Sequence, residues 1–193
     1  MQKHRHFIVY KPLGYLSQFV NNQTSSKRKK LLGELFEFPE GTMAIGRLDE
    51  KSEGLLLLTT DGVVSEQVRS KKIEKEYFVE LDGDITNVAI GQLECGVEIG
   101  FSGKKYMTLP CKVTRLHTVP NFEPELNQRK RHRPTSWISV IITEGKFRQV
   151  RKMTAAVGFP TLRLIRVRVG NIRLDKLVAG EIIEVEDFMN YPT

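Results

Sequence analysis

The chain has 193 residues, of which 40% are hydrophobic and 27% charged, so it can bury a core and is not generally disordered. Lys and Arg number 30 against 23 for Asp and Glu, and the formal net charge of +7 favours a polyanionic partner without requiring one. The two cysteines, Cys95 and Cys111, form no CxxC or Cys/His cluster, which argues against a metal site and fits a reducing cytosol. The N-terminus lacks a signal-peptide pattern and no apolar stretch could span a bilayer, so we expect a cytoplasmic protein without a membrane partner.

Strands and turns dominate the predicted elements of the first half. β-branched and aromatic residues indicate strands, and Gly54 and the Asp61-Gly62 pair bound a short apolar run that is typical of a buried strand. In chain order the pattern predicts a strand at 7–10, a turn at 11–14, an exposed loop at 21–30, a short helix at 31–36, a buried strand at 55–59, a helix at 63–69 and a strand at 77–81.

The second half mixes the same kinds of element. It predicts a helix at 86–93 capped by Thr86, a strand at 109–116, a loop at 120–134, an alternating strand at 135–143, a helix at 147–157, and strands at 162–169 and 181–185. Phe147, Val150, Met153 and Val157 would form the apolar stripe of the last helix. Because no regular βαβ rhythm is present, we expect an α+β fold with a mixed or mainly antiparallel sheet.

Two segments carry residues suited to chemistry. GRLDEKSEG places Arg47 and Asp49 in a glycine-flanked loop before the buried strand, a common mount for reactive groups but also a common place for a surface ion pair. EGKFRQVRKM begins a helix with Arg148, Arg151 and Lys152, although cations oppose the macrodipole there. An anion against this helix would explain its charges, whereas a solvated cationic face is the simpler alternative.

These segments together resemble the RsuA/RluB/RluE/RluF family of pseudouridine synthases. GRLDEKSEGLLLLTTDG resembles the family's catalytic-aspartate motif, KEYFVEL its KxY motif, EGKFRQVRKM its third motif and LRLIRVRVG the strand that follows; KPLG resembles its usual opening. The C-terminal half is most similar to the E subgroup of the large-subunit synthases. The resemblance implies one catalytic domain over residues 1–193 without an N-terminal S4 domain, in an α+β fold that could form two lobes around a cleft.

The resemblance also implies a reaction and its residues. Uridine in RNA would be isomerised to pseudouridine without a cofactor or metal, with Asp49 as the nucleophile. Arg151 is the first choice for its guanidinium partner and Arg148 the second. Tyr77 would stack on the base and could transfer a proton, Lys75 belongs to the same motif, and Leu164 would form an apolar wall against the base.

RNA contacts are expected from basic residues around these motifs. Arg47 would fill the vacated base stack or hold a phosphate, since a target within a helix must be flipped out. The other candidates, which could equally be solvated, are Arg148, Lys152, Lys27, Arg28, Lys29, Lys30, Arg129, Lys130, Arg131 and Arg133. The expected partner is structured RNA, above all large-subunit (23S) ribosomal RNA, acted on by a monomer.

Two other functions fit part of the pattern. A non-catalytic RNA-binding or ribosome-assembly protein on the same fold would explain the basic charge equally well. Binding alone does not need a carboxylate near phosphates, so the combination of Asp49, Tyr77 and Arg151 favours the enzyme. A glycosidase-like hydrolase would usually need a second carboxylate, and nothing in the sequence directs Glu50 or Glu53 to that role.

Overall fold

The computed structural model describes residues 3–20, 29–70, 73–118, 120–122 and 134–188. Its strands are β1 (His6–Lys11), β2 (Tyr15–Leu16), β3 (Lys30–Leu31), β4 (Met43–Ile45), β5 (Glu53–Thr59), β6 (Lys75–Asp82), β7 (Glu98–Phe101), β8 (Lys104–Met107), β9 (Lys112–Leu116), β10 (Thr135–Ile142), β11 (Thr161–Val169), β12 (Ile172–Arg173) and β13 (Ile182–Val185). The helices are α1 (Gly62–Ser70), α2 (Asn87–Cys95) and α3 (Gln149–Ala156), and a 3-10 turn spans Leu32–Glu34.

The chain divides into two compact units. The first unit comprises Met1–Ile73 with Arg166–Thr193, and the second comprises Glu74–Ile165. β1 pairs antiparallel with β5 and β13, as do β4 with β5, β6 and β9 with β10, β7 with β8, and β11 with β12, whereas β2 and β3 are parallel. The predicted α+β class with a mainly antiparallel sheet is confirmed. A single catalytic domain with a cleft between lobes stays a prediction.

β1 and β5 form the centre of the first unit. β1 pairs antiparallel with β5 and β13, and β4 pairs with β5. Every residue of β1 and β5 is buried, which means that both faces of these two strands are covered. Phe7, Val9, Leu56 and Leu58 share one face and pack with Leu32 into a cluster. The predicted buried strand at 55–59 is therefore confirmed, and it supplies a rigid base for the segment that precedes it.

β10 organises the second unit. It pairs antiparallel with β6 and with β9. The predicted helix at 86–93 is confirmed as α2, and its cap is the Thr86 hydroxyl, which accepts a hydrogen bond from the Ala89 N–H at 3.2 Å. The β7–β8 hairpin, which joins Phe101 to Lys104 across a two-residue turn, was not predicted from the sequence.

Several sequence predictions need correction. The predicted helix at 31–36 is only the 3-10 turn, and the predicted strand at 109–116 begins at Lys112. The predicted helix at 147–157 begins at Gln149, so Phe147 lies before it and is 67% exposed instead of belonging to the apolar stripe. Val150 and Met153 are buried as predicted. Among the described residues, no helix is both long and apolar enough to cross a membrane.

Gly54, at the start of β5, is predicted to tolerate no side chain. Its φ is +103°, and a Cβ there would lie 2.4 Å from the carbonyl oxygen of Arg166. Gly54→Ala should therefore lower the free energy of unfolding by about 2 to 5 kcal/mol through overpacking and backbone strain together. Gly46→Ala is the matched control, since its φ is +73° with nothing within 4 Å, and should lose only about 1 to 2 kcal/mol. Equal losses in urea unfolding would contradict this packing.

Candidate active site

The loop that carries Asp49 is anchored by backbone hydrogen bonds on both sides of this residue. The Ser17 hydroxyl accepts from the N–H of Leu48 and donates to the carbonyl of the same residue, both at 2.9 Å. The N–H of Gly14 donates to the Glu50 carbonyl at 2.8 Å. Leu48 is buried and Asp49 is half-buried. The backbone around Asp49 is thus held by the turn that follows β1, and its carboxylate sits on a preorganised segment.

A buried lysine supports that turn. Lys11 is fully buried, and its ammonium donates to the carbonyls of Pro12 at 2.9 Å and Tyr15 at 2.7 Å. Glu53 and Arg166 are also buried, at 2% and 4% exposure. Buried charges are tolerated when they are paired and hydrogen-bonded. Lys11 therefore joins the end of β1 to the turn whose residues hold the Asp49 loop.

The charges around Lys11 have opposing effects on it. Burial lowers the pKa of Lys11 to about 8, and the nearby Arg166 lowers it further, while Glu53, Asp49 and Glu50 act in the opposite direction. The role of Lys11 was not predicted from the sequence, in which KPLG was used only for its resemblance. The available signal was a lysine placed directly after a wholly apolar strand.

The described basic residues near the Asp49 loop differ in their contacts. Lys29 forms a 2.6 Å ion pair with Glu50, and the Lys30 ammonium lies 5.3 Å from the centre of the Tyr15 ring. Arg47 is exposed. The predicted contacts at Lys27 and Arg28 lie outside the described residues. The exposed position of Arg47 suits a contact with RNA. Lys29 would first have to release the Glu50 carboxylate before it could bind a phosphate.

The second unit positions Tyr77, Lys75 and Leu164 on strands. Tyr77 lies on β6 opposite Val140 and is 8% exposed. The Lys75 ammonium donates to the Thr143 carbonyl at 3.4 Å. Leu164 lies on β11 and is 5% exposed. Tyr77 and Leu164 are therefore largely buried side chains whose positions are fixed by strands, as a base-packing role requires.

Glu144 organises the turn that precedes α3. Its two carboxylate oxygens accept hydrogen bonds from the Tyr106 hydroxyl at 2.5 Å, the Leu109 N–H at 2.9 Å and the Gln149 amide at 2.5 Å. The Gln149 side chain in turn accepts from the Lys146 N–H at 2.9 Å. This closed network fixes the conformation of the turn, so the residues that emerge from it are preorganised.

Arg148 and Arg151 leave this turn in different conformations. Arg148 has φ 54° and ψ 34°, a left-handed conformation that costs a non-glycine residue on the order of 1 kcal/mol and often marks a functional segment. Arg151 lies within α3, and its guanidinium donates to the Thr161 carbonyl at 3.4 Å. The hydroxyls of Thr154 and Thr161 are 2.7 Å apart, which further ties α3 to the start of β11.

The predicted site residues thus belong to two sets. Asp49 and Arg47 lie in the first unit, whereas Tyr77 and Arg151 lie in the second. The expected ion pair between Asp49 and Arg151 stays a prediction from the motifs. The basic run at Arg129, Lys130, Arg131 and Arg133 lies outside the described residues. The described part of the chain contains no group of three or more His, Cys, Asp or Glu side chains arranged to hold a metal ion.

Comparison with known proteins identifies the class. The model of the RNA pseudouridylate synthase family matches residues 5–156, so the chain belongs to that family. It is 41% identical to ribosomal large subunit pseudouridine synthase E of Xanthomonas campestris pv. campestris, over 90% of this chain and 91% of that protein. It is 38% identical to the protein of the same name from Vibrio parahaemolyticus, over 96% of this chain and 76% of that protein.

Solved structures agree with this assignment. A crystal structure of a pseudouridylate synthase superposes with a TM-score of 0.73 at 26% identity, over 96% of this chain and 71% of that one. A Cbf5-Nop10-Gar1 complex, at a TM-score of 0.53 and 17% identity over 89% of this chain and 50% of that one, shows the fold alone. The predictions of fold class, family and enzyme class are confirmed: the chain is an RNA pseudouridine synthase.

Replacement of Lys11 should destabilise the first unit. Lys11→Met leaves the Pro12 and Tyr15 carbonyls without this donor and removes the charge that attracts the buried Glu53, so the free energy of unfolding at pH 7 should fall by about 2 to 4 kcal/mol. The control is Lys3→Met, because Lys3 is 82% exposed and pairs with a Glu186 that is 91% exposed. It should change stability by less than about 0.5 kcal/mol in the same urea titration. A Lys11→Met protein as stable as the control would refute the anchoring role.

The lowered pKa of Lys11 also predicts a pH dependence. Between pH 8 and 10.5 the unfolded chain keeps a proton that the folded chain has lost from Lys11, so raising the pH favours the folded state. The stability difference between the wild type and Lys11→Met should therefore grow in favour of the wild type by about 1 kcal/mol per pH unit between pH 8 and 10. A difference that stays constant or shrinks over this range would show that Lys11 titrates as an exposed lysine.

Proposed function

We propose that the protein converts a specific uridine of large-subunit ribosomal RNA to pseudouridine, with Asp49 as the nucleophile. The observation that carries the proposal is the doubly anchored loop in which Asp49 follows GRL and precedes the buried strand β5. The choice of ribosomal RNA is supported by the names of the relatives that align along most of their length. The net charge of +7 suits a large polyanion.

The reaction is a rearrangement within one nucleotide. The bond between N1 of uracil and C1′ of ribose breaks, the uracil rotates, and a bond forms between C5 and C1′. C5 loses its proton and N1 gains one, so atoms balance without an oxidant or a second substrate. Asp49 must be ionised to attack either the ribose or the base.

The second unit would bind the base. In this proposal Tyr77 stacks on the uracil or passes a proton, and Leu164 forms the apolar wall against it. Arg151, or Arg148 in its place, pairs with Asp49, and Lys75 supports the start of β6. The burial of Tyr77 and Leu164 supports these roles, because a base released from its stack needs apolar surfaces of fixed position.

Arg47 is proposed to contact the RNA around the extruded nucleotide. It is exposed and only two residues from Asp49, so it can occupy the space left by the base or bind a phosphate. Arg148 and Lys152 would add phosphate contacts from the segment at α3. A protein that merely binds RNA gains nothing from placing a half-buried carboxylate on such a loop, which favours catalysis over the binding-only alternative.

Asp49→Asn tests the proposal directly. Turnover should fall by more than about a thousandfold because the amide cannot form the covalent intermediate, while RNA affinity stays near that of the wild type. Activity is measured as tritium release from a large-subunit ribosomal RNA transcript labelled at C5 of uridine, and affinity by filter binding. Asp175→Asn is the matched control, since Asp175 is exposed and its left-handed φ of 42° is compatible with asparagine. Turnover near the wild-type rate in Asp49→Asn would overturn the mechanism.

A further inference from the structure

We propose that the β7–β8 hairpin and the segment leading into α3 form a second RNA-binding surface, on which an unpaired base stacks against Phe147. The inference rests on the proposed function, and it extends the RNA contacts proposed for Lys152 to Phe147 and to the hairpin. We call this the hairpin–helix surface, and it consists of Lys104, Tyr106, Lys146, Phe147 and Lys152.

Phe147 is the central observation. Helical spacing predicts it in the core, yet it is 67% exposed, because the left-handed Arg148 ends the turn and the helix begins one residue later. The Lys152 ammonium lies 5.4 Å from the centre of the Phe147 ring. An exposed aromatic ring with a cation beside it can stack on the π-face of any base and place a positive charge near the attached phosphate.

The ring is presented on a fixed backbone. Glu144 and Gln149 close the hydrogen-bond network across the turn in which Phe147 lies, and Gln149 is only 3% exposed. The Lys152 ammonium also donates to the Gly100 carbonyl at 2.7 Å, which joins α3 to the hairpin. A platform held in this way can stack a base without first ordering its own backbone, and less affinity is lost on binding.

The hairpin adds positive charge to the surface. Lys104 is exposed and lies opposite Phe101, on the face of the hairpin that also carries Tyr106. Lys105 lies on the other face, where it pairs with Glu98 at 2.9 Å. The Lys146 ammonium lies 5.2 Å from the centre of the Phe101 ring and 5.0 Å from that of Tyr106. The surface thus presents three lysine side chains, those of Lys104, Lys146 and Lys152. Cations beside an aromatic ring suit the phosphates of a nucleic-acid backbone.

RNA suits this surface better than a protein partner does. Lysine is depleted in protein–protein interfaces, and one exposed phenylalanine among lysines does not provide the apolar centre that such an interface needs. Single-stranded nucleic acid is bound by the combination seen here, which is an aromatic platform beside cations that follow the backbone. The segment of RNA bound is therefore expected to be unpaired.

Variants at two positions separate stacking from charge. Phe147→Leu keeps an apolar side chain and removes the ring, whereas Phe147→Trp keeps a ring. Lys104→Ala combined with Lys146→Ala removes two charges from the surface. The matched controls are Val178→Ala, at an exposed apolar residue, and the combination of Lys112→Ala and Lys176→Ala, which removes two exposed lysines outside the surface. Each protein is first checked for an unchanged thermal unfolding midpoint.

Affinity for a large-subunit ribosomal RNA transcript is measured by filter binding at several KCl concentrations. Phe147→Leu should raise Kd by at least about fivefold, the lower limit for loss of one stacked base, without changing the slope of log affinity against log salt. Phe147→Trp should bind within about twofold of the wild type. The double lysine variant should flatten the slope by about 1.4 to 1.8, as two phosphate contacts require, whereas its control should not.

Either of two results overturns the proposal. The first is that Phe147→Leu binds within twofold of the wild type, or that Phe147→Trp weakens binding as much as Phe147→Leu does. The second is that the double lysine variant has the same salt slope as its control. Tritium release by the wild-type protein on the same transcript separates this proposal from the proposed function. If the wild type is active and the variants bind normally, only the hairpin–helix surface is wrong, and a protein partner becomes the better explanation of its exposed ring. An inactive wild type would instead refute the choice of substrate.

Discussion

The burial of the Lys11 ammonium is the constraint on which the Asp49 loop depends. A buried ammonium group needs hydrogen-bond acceptors in place of water, and that of Lys11 donates to the carbonyls of Pro12 and Tyr15. Those bonds fix the segment that follows β1, and Gly14 and Ser17 of this segment bond to the backbone on both sides of Asp49. The buried ammonium thus supports the loop that carries the carboxylate.

In the second unit a carboxylate, and not an ammonium, anchors the functional loop. Glu144 gathers donors from Tyr106, Leu109 and Gln149, and this network allows Arg148 to hold a left-handed conformation that would otherwise be unfavourable. In both units a functional loop follows or precedes a buried strand, and a charged side chain near the strand end satisfies the loop's backbone or its side chains. The loops therefore derive their rigidity from polar anchors and not from apolar packing alone.

Much of this arrangement was accessible from the sequence. Apolar runs between turn residues predict β1 and β5, alternation predicts β10, and Thr86 predicts the start of α2, because local pattern and tertiary burial agree at these positions. The place of Lys11 after an apolar run is a signal, but its acceptors are backbone carbonyls and cannot be read from the sequence. The β7–β8 hairpin was missed because its strands are only four residues long and largely exposed.

At Phe147 the local sequence pattern and the structure differ, and the difference has a physical reason. Its spacing from Val150 and Met153 is that of a helix stripe, and burial of the ring would be favourable by a few kcal/mol. The chain forgoes that gain because Glu144 and Gln149 bond within the turn and Arg148 leaves helical geometry. The helical spacing predicts burial correctly at Val150 but not at Phe147. Such a failure marks a position where another requirement outweighs stability. An exposed ring beside Lys152, in a protein that acts on RNA, is most simply explained if that requirement is contact with a base.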